Sequence, residues 1–127
     1  MLFAIAAGGA LGSIARYLIG TLVATRAPGF PWATLLINVT GSLLFAFLFA
    51  ALTSPAQSPA LRAGLTTGFC GGYTTFSTFS YETFALLEDG EWTRAGLYAA
   101  LSVVLALVAT IIGFMVARGV ITLRAGA

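Results

Sequence analysis

Gly68-Phe69-Cys70-Gly71-Gly72-Tyr73-Thr74-Thr75-Phe76-Ser77-Thr78-Phe79-Ser80 is a run of glycines, hydroxyls and aromatic rings set inside an otherwise strongly apolar chain. Glycine-broken, polar backbone of this kind cannot face lipid. In hydrocarbon an unpaired N–H or C=O is costly, so irregular backbone at membrane depth survives only buried in protein or lining a hydrated path. The stretch therefore bears on fold and function together, and it points to a small-ion pathway.

Around it, 59% of the 127 residues are hydrophobic and 8% are charged, with a mean hydropathy of +0.99. This is the composition of an all-α integral membrane protein. A span needs about 20 apolar residues to cross a core roughly 30 Å thick, and the charges leave such stretches open: none lies between Met1 and Arg16, Arg26 and Arg62, Arg62 and Glu82, or Arg94 and Arg118. Breaks at Arg26-Ala27-Pro28-Gly29, Thr53-Ser54-Pro55 and Glu88-Asp89-Gly90-Glu91 divide the chain into four transmembrane helices, about 2–24, 32–52, 59–87 and 92–117. Residues 1–127 then form a single transmembrane domain, and no loop is long enough for a soluble one. The N-terminal apolar run lacks a basic leader and carries Arg16, so it reads as the first mature helix. One cysteine and no histidine leave no Cys/His metal site or nucleophile–base pair. Six arginines spread along the chain form no patch for nucleic acid.

The face holding both termini and the middle loop carries Arg62, Arg118 and Arg124; the other carries Arg26 and Arg94. So weak a bias permits insertion both ways, and two copies could then pair antiparallel. Small and polar residues form a seam on each helix: Gly8, Gly12, Arg16 and Gly20; Thr34, Asn38, Gly41 and Ser42; Tyr98, Ser102, Ala106, Thr110 and Gly113. Most of these seams suit helix packing.

Gly71-Gly72 is the expected break in the third helix, because glycine is a poor helix former. Carbonyls freed from Gly71 to Thr75 would suit a hard monovalent cation such as Na⁺; the competing reading is a kink satisfied by neighbouring hydroxyls. Phe76 and Phe79, spaced i, i+3, share one helical face, and Thr75, Thr78 and Glu82 share a neighbouring one. A ring is positive at its edge, so an anion can approach it without being trapped by a full charge. Asn38, the only asparagine, donates to an anion or bonds across helices. Arg16 either draws anions into a vestibule or ties helix ends together. Glu82 either shapes a vestibule or marks the helix approaching water.

With these residues assembled, the chain closely resembles the bacterial fluoride channel family, the Fluc or CrcB proteins. The resemblance spans nearly the whole length and rests on Gly68–Ser80, Gly8–Tyr17 (G-G-A-L-G-S-I-A-R-Y) and Ile37–Ser42 (I-N-V-T-G-S). It implies an antiparallel, dual-topology homodimer in the cell (inner) membrane, with two fluoride pathways lined by both subunits. It also implies a structural Na⁺ on the dimer axis, held by backbone carbonyls of Gly71 and Thr74. By the same resemblance Phe76 and Phe79 match the aromatic box, Asn38 the pore-facing amide, and Ser77, Thr78, Tyr98 and Ser102 the polar track. The implied role is passive: HF enters a cell, dissociates and leaves fluoride trapped, and an inside-negative potential favours its exit by about 2.3 kcal/mol per 100 mV.

The main rival, a dual-topology small multidrug transporter, needs a membrane carboxylate. The first two spans offer Arg16 and no acid, and Glu82 is placed near a helix end. A structural subunit of a larger membrane complex would leave the glycines and hydroxyl stripe without a purpose. Neither reading requires an enzyme.

Overall fold

The computed structural model describes residues 1–26, 29–54 and 57–125, with side chains to residue 123. Ala27, Pro28 and Pro55 of the expected breaks, and the side chain of Arg124, lie outside the described residues. All regular structure described is helical: α1 (Leu2–Arg26), α2 (Trp32–Ala51), α3 (Pro59–Ala63), a π-helical stretch Gly64–Cys70, α4 (Gly71–Tyr73), α5 (Phe76–Glu88) and α6 (Trp92–Ala125). Three of these, α1, α2 and α6, are long and apolar enough to cross a membrane unaided. The expected third crossing is the composite 59–88.

Local chemistry explains several ends. Ser58 caps α3 by accepting from the Leu61 N–H, with Pro59 at the first helical position. Gly29 and Gly90 take φ of +94° and +77° in the turns before α2 and α6, a region closed to most side chains. Helix α6 continues past Ala117 to Ala125, carrying Gly119 within it, and Thr122 folds its hydroxyl back onto the Arg118 carbonyl.

The long helices pack by removing side chains from their seams. A Cβ on Gly8 would overlap the Gly64 carbonyl, one on Gly12 the Phe69 carbonyl, and one on Gly113 the Leu43 carbonyl. Backbones thus meet directly between α1 and the π-helical stretch and between α2 and α6, where Ala46, Ala109 and Ala117 are buried. Large apolar residues point outward instead: Phe3, Leu107 and Ile111 among them are more than half exposed, as a lipid-facing surface requires.

The break in the third crossing does not fall at Gly71-Gly72. Both glycines are helical, and Gly71 has φ −65° and ψ −38°. The chain opens at Thr74 (φ −77°, ψ 157°) and Thr75 (φ −149°, ψ 114°), two β-branched residues in extended conformation. Gly72 serves packing: its Cα hydrogen lies where a Cβ would overlap the Gly9 carbonyl oxygen of α1.

Candidate functional site

An opened helix leaves donors and acceptors that must be paired. Asn38 of α2 pairs both sides of Thr75 at once: its Nδ2 donates to the Thr75 carbonyl at 3.0 Å, and its Oδ1 accepts from the Thr75 N–H at 2.8 Å. The Thr75 hydroxyl accepts from the Thr78 N–H at 3.2 Å and so caps α5. These two diversions release two particular carbonyls. In a continuous helix Thr75 N–H would bond the Gly71 carbonyl and Thr78 N–H the Thr74 carbonyl. The Thr74 carbonyl accepts instead from Arg16 Nη1 at 3.4 Å, and Ser13 Oγ donates to the Gly72 carbonyl at 3.4 Å.

Beside the break lies a cavity of about 350 Å³ lined by Asn38, Ser42, Thr74, Thr75, Phe76, Phe79 and Ser102, with Val103, Ala106 and Leu107 completing its apolar wall. The Phe76 and Phe79 rings sit 5.4 Å apart, tilted by 46°. Phe76 is 78% exposed, so much of its ring is free for a partner. Among the described residues, Ser102 carries the only buried side-chain polar atom without a hydrogen-bond partner. Asn38 spends one of its two amide protons on Thr75. The residues around the cavity thus include a hydroxyl and an amide proton without a partner and two aromatic rings, group types suited to a small anion.

On the other side of Thr75 is a second cavity, about 450 Å³, lined by Ser13, Arg16, Thr34, Thr75, Thr78 and Glu82 among others. Glu82 lies midway along α5 rather than near its end. Its carboxylate accepts from Thr34 Oγ1 at 2.9 Å and from the Tyr98 hydroxyl at 2.7 Å. Arg16 and Glu82 share this polar chamber, the placement a vestibule would need.

Residues 3–114 fit the family described as CrcB-like protein, Camphor Resistance (CrcB). This chain belongs to the CrcB-like family. It is 52% identical over 119 residues to the fluoride-specific ion channel FluC 1 of Nitrobacter hamburgensis, covering 92% of this chain and 94% of that protein. It is 54% identical to the FluC of Nitrobacter winogradskyi, with the same coverage, and 53% identical to that of Geobacter sulfurreducens, covering 92% and 96%. These names describe an ion channel, not an enzyme.

Within this CrcB-like chain the expected site residues fall into two groups. Asn38, Phe76, Phe79 and Ser102 come together at the first cavity. Thr78 lines the second cavity, and Ser77 places its hydroxyl 3.2 Å from that of Thr75. Tyr98 is fully buried with its hydroxyl given to Glu82; its ring, 5.2 Å from Phe79, supports the aromatic pair. The roles of Thr34 as a Glu82 partner, and of Phe30, whose ring meets Tyr98 edge-on at 5.6 Å, were not legible from spacing. For Thr34 the signal was its place one turn before Asn38 on the polar seam of α2. Phe30, in the turn before α2, carried no signal.

Proposed function

We propose that this CrcB-like chain forms a fluoride-selective channel that lets fluoride leave the cytoplasm passively across the cell (inner) membrane. The observation that carries this reading is the cavity lined together by Asn38, Phe76, Phe79 and Ser102, whose Oγ is buried without a partner. Fluoride is small and strongly hydrated, so a path that accepts it must replace its water with donors. Hydroxyl, amide and ring-edge hydrogens do so without a full positive charge, which keeps each site weak enough to leave. The names of relatives about half identical to this chain support the same ion.

The channel is an antiparallel, dual-topology homodimer in this proposal. The cavity is open on one side and Phe76 is mostly exposed, so one chain supplies only part of a wall. A structural Na⁺ fits the same arrangement. The carbonyls of Gly71 and Thr74 are among those released from helical bonding at the break, and a Cβ on Gly71 would meet nothing within 4 Å. Two carbonyl oxygens are too few for a hard cation; a second copy on a two-fold axis doubles them. Bound there, Na⁺ would tie the two breaks together, while Arg16 keeps its contact with the second lone pair of the Thr74 oxygen.

The test is purified protein in liposomes loaded with fluoride, the potential clamped with a K⁺ ionophore, and release followed with a fluoride electrode. Protein-dependent fluoride efflux is expected, with chloride retained. Phe79→Ile, similar in bulk but without a polarised ring edge, should slow it sharply. Absence of efflux from the wild type refutes the channel.

A further inference from the structure

The cavity beside the break is one of a series. It shares Ser42 and Thr74 with a neighbour of about 400 Å³, which in turn shares Thr66 and Thr67 with a third of about 420 Å³ containing Arg62. A groove thus runs along one side of the molecule, from the Phe76–Phe79 pair to the boundary where α3 begins.

Arg62 at its far end is the only charged residue between Arg26 and Glu82. Its guanidinium carbon lies 4.4 Å from the centre of the Phe49 ring. Stacking of this kind occupies the flat face of the guanidinium and leaves its N–H edge free to bind an anion. Among the described residues no carboxylate neutralises it; the ion pair found among them joins Arg94, in the first turn of α6, to Glu91 just before that helix. A partly buried arginine without a counter-ion, held rigidly at the mouth of a groove, is a source of positive potential.

We infer that Arg62 is the anion-collecting residue at the middle-loop mouth of the pathway, and that the groove past Thr66, Thr67 and Thr74 continues the path from that mouth to the aromatic pair. The inference rests on the channel reading above. It gives the path an arginine at each end: Arg62 at this mouth and Arg16 in the chamber beyond Thr75. Each raises the local concentration of anions without standing inside the narrow section.

Fluoride efflux is measured for wild type, Arg62→Gln and Arg62→Lys in vesicles of phosphatidylcholine alone, at low and high concentrations of an impermeant salt. The Debye length is about 30 Å at 0.01 M and about 3 Å at 1 M, so a long-range field acts only in the first condition. Arg62→Gln is expected to lose roughly threefold or more of the efflux rate at low salt and less than twofold at high salt. Arg62→Lys, which keeps the charge, should stay close to wild type in both. Should Arg62→Gln fail to reconstitute, Arg62→Met keeps the stem over Phe49 and tests the same loss of charge. A neutral variant as fast as wild type at low salt overturns the inference, as does an equal loss at both salts, which would mark a packing role. A loss seen only after anionic lipid is added also overturns it and reassigns Arg62 to a lipid headgroup. Absence of efflux from the wild type refutes the channel itself; wild-type efflux with an indifferent Arg62 refutes only this step.

Discussion

Replacing Asn38 by leucine removes the two hydrogen bonds that pair the Thr75 backbone across the break, while keeping the bulk of the side chain. Thr75 is 6% exposed, so its N–H and C=O cannot simply turn to bulk water. A buried polar group left unpaired costs about 1–3 kcal/mol, which sets an upper bound near 6 kcal/mol for two. Interhelical hydrogen bonds measured in membranes average about 0.6 kcal/mol, which sets a lower bound near 1.2 kcal/mol. Two features place the expected loss between these limits, at roughly 2–3 kcal/mol. Thr75 borders both central cavities, so a water molecule can reach one of its orphaned groups. The other group has no substitute, because the Thr75 hydroxyl is already engaged with Thr78.

The assay is reversible unfolding in mixed micelles by titration with a denaturing detergent, with Ser42→Ala as a control. The Ser42 hydroxyl bonds only the Asn38 carbonyl of its own helix, and its loss should cost less than about 0.5 kcal/mol. An Asn38→Leu variant within 0.5 kcal/mol of wild type would refute the reasoning, since it would mean that the break pairs itself without α2. The same variant should also transport poorly, because the break that positions Phe76 is no longer held.

Ser102→Ala should behave in the opposite way: removing a buried hydroxyl that has no partner leaves stability unchanged or slightly raised, while fluoride efflux falls. A stability loss above about 1 kcal/mol, read in the same titration, would reveal a partner for this hydroxyl and count against its assignment to the ion. Gly72→Ala should destabilise the chain strongly, because its Cβ meets α1 backbone that cannot move aside, whereas Gly71→Ala should leave the chain's own fold intact and weaken dimer formation. Melting curves and crosslinking distinguish the two; equal effects would refute the division of labour. Exchange of Na⁺ for choline during purification should lower the crosslinked dimer fraction of wild type, and a dimer indifferent to Na⁺ would exclude the Gly71–Thr74 cation site.

The spans were legible because charge placement along a chain this apolar leaves little freedom: stretches without Asp, Glu or Arg have to lie in lipid. The position of the break was not, and the reason is physical. Gly71-Gly72 looks like a helix breaker because glycine loses the most entropy in a helix, but a propensity near 1 kcal/mol per residue is easily overridden by contacts. At Gly72 the absence of a side chain lets α3–α4 backbone lie against Gly9, and that contact favours the helix. What opens the chain lies elsewhere. Asn38, 37 residues away, offers the Thr75 backbone a complete set of partners, and the Thr75 hydroxyl starts α5 three residues before Thr78. The second of these is local, and the T-x-x-T spacing of Thr75 and Thr78 could have been read as a cap. The first is a tertiary fact that no local pattern contains. The same distinction separates the site residues. Phe76 and Phe79 declare themselves by i, i+3 spacing, whereas the isolation of Ser102, on which the anion reading most depends, exists only once α6 has been packed against the break.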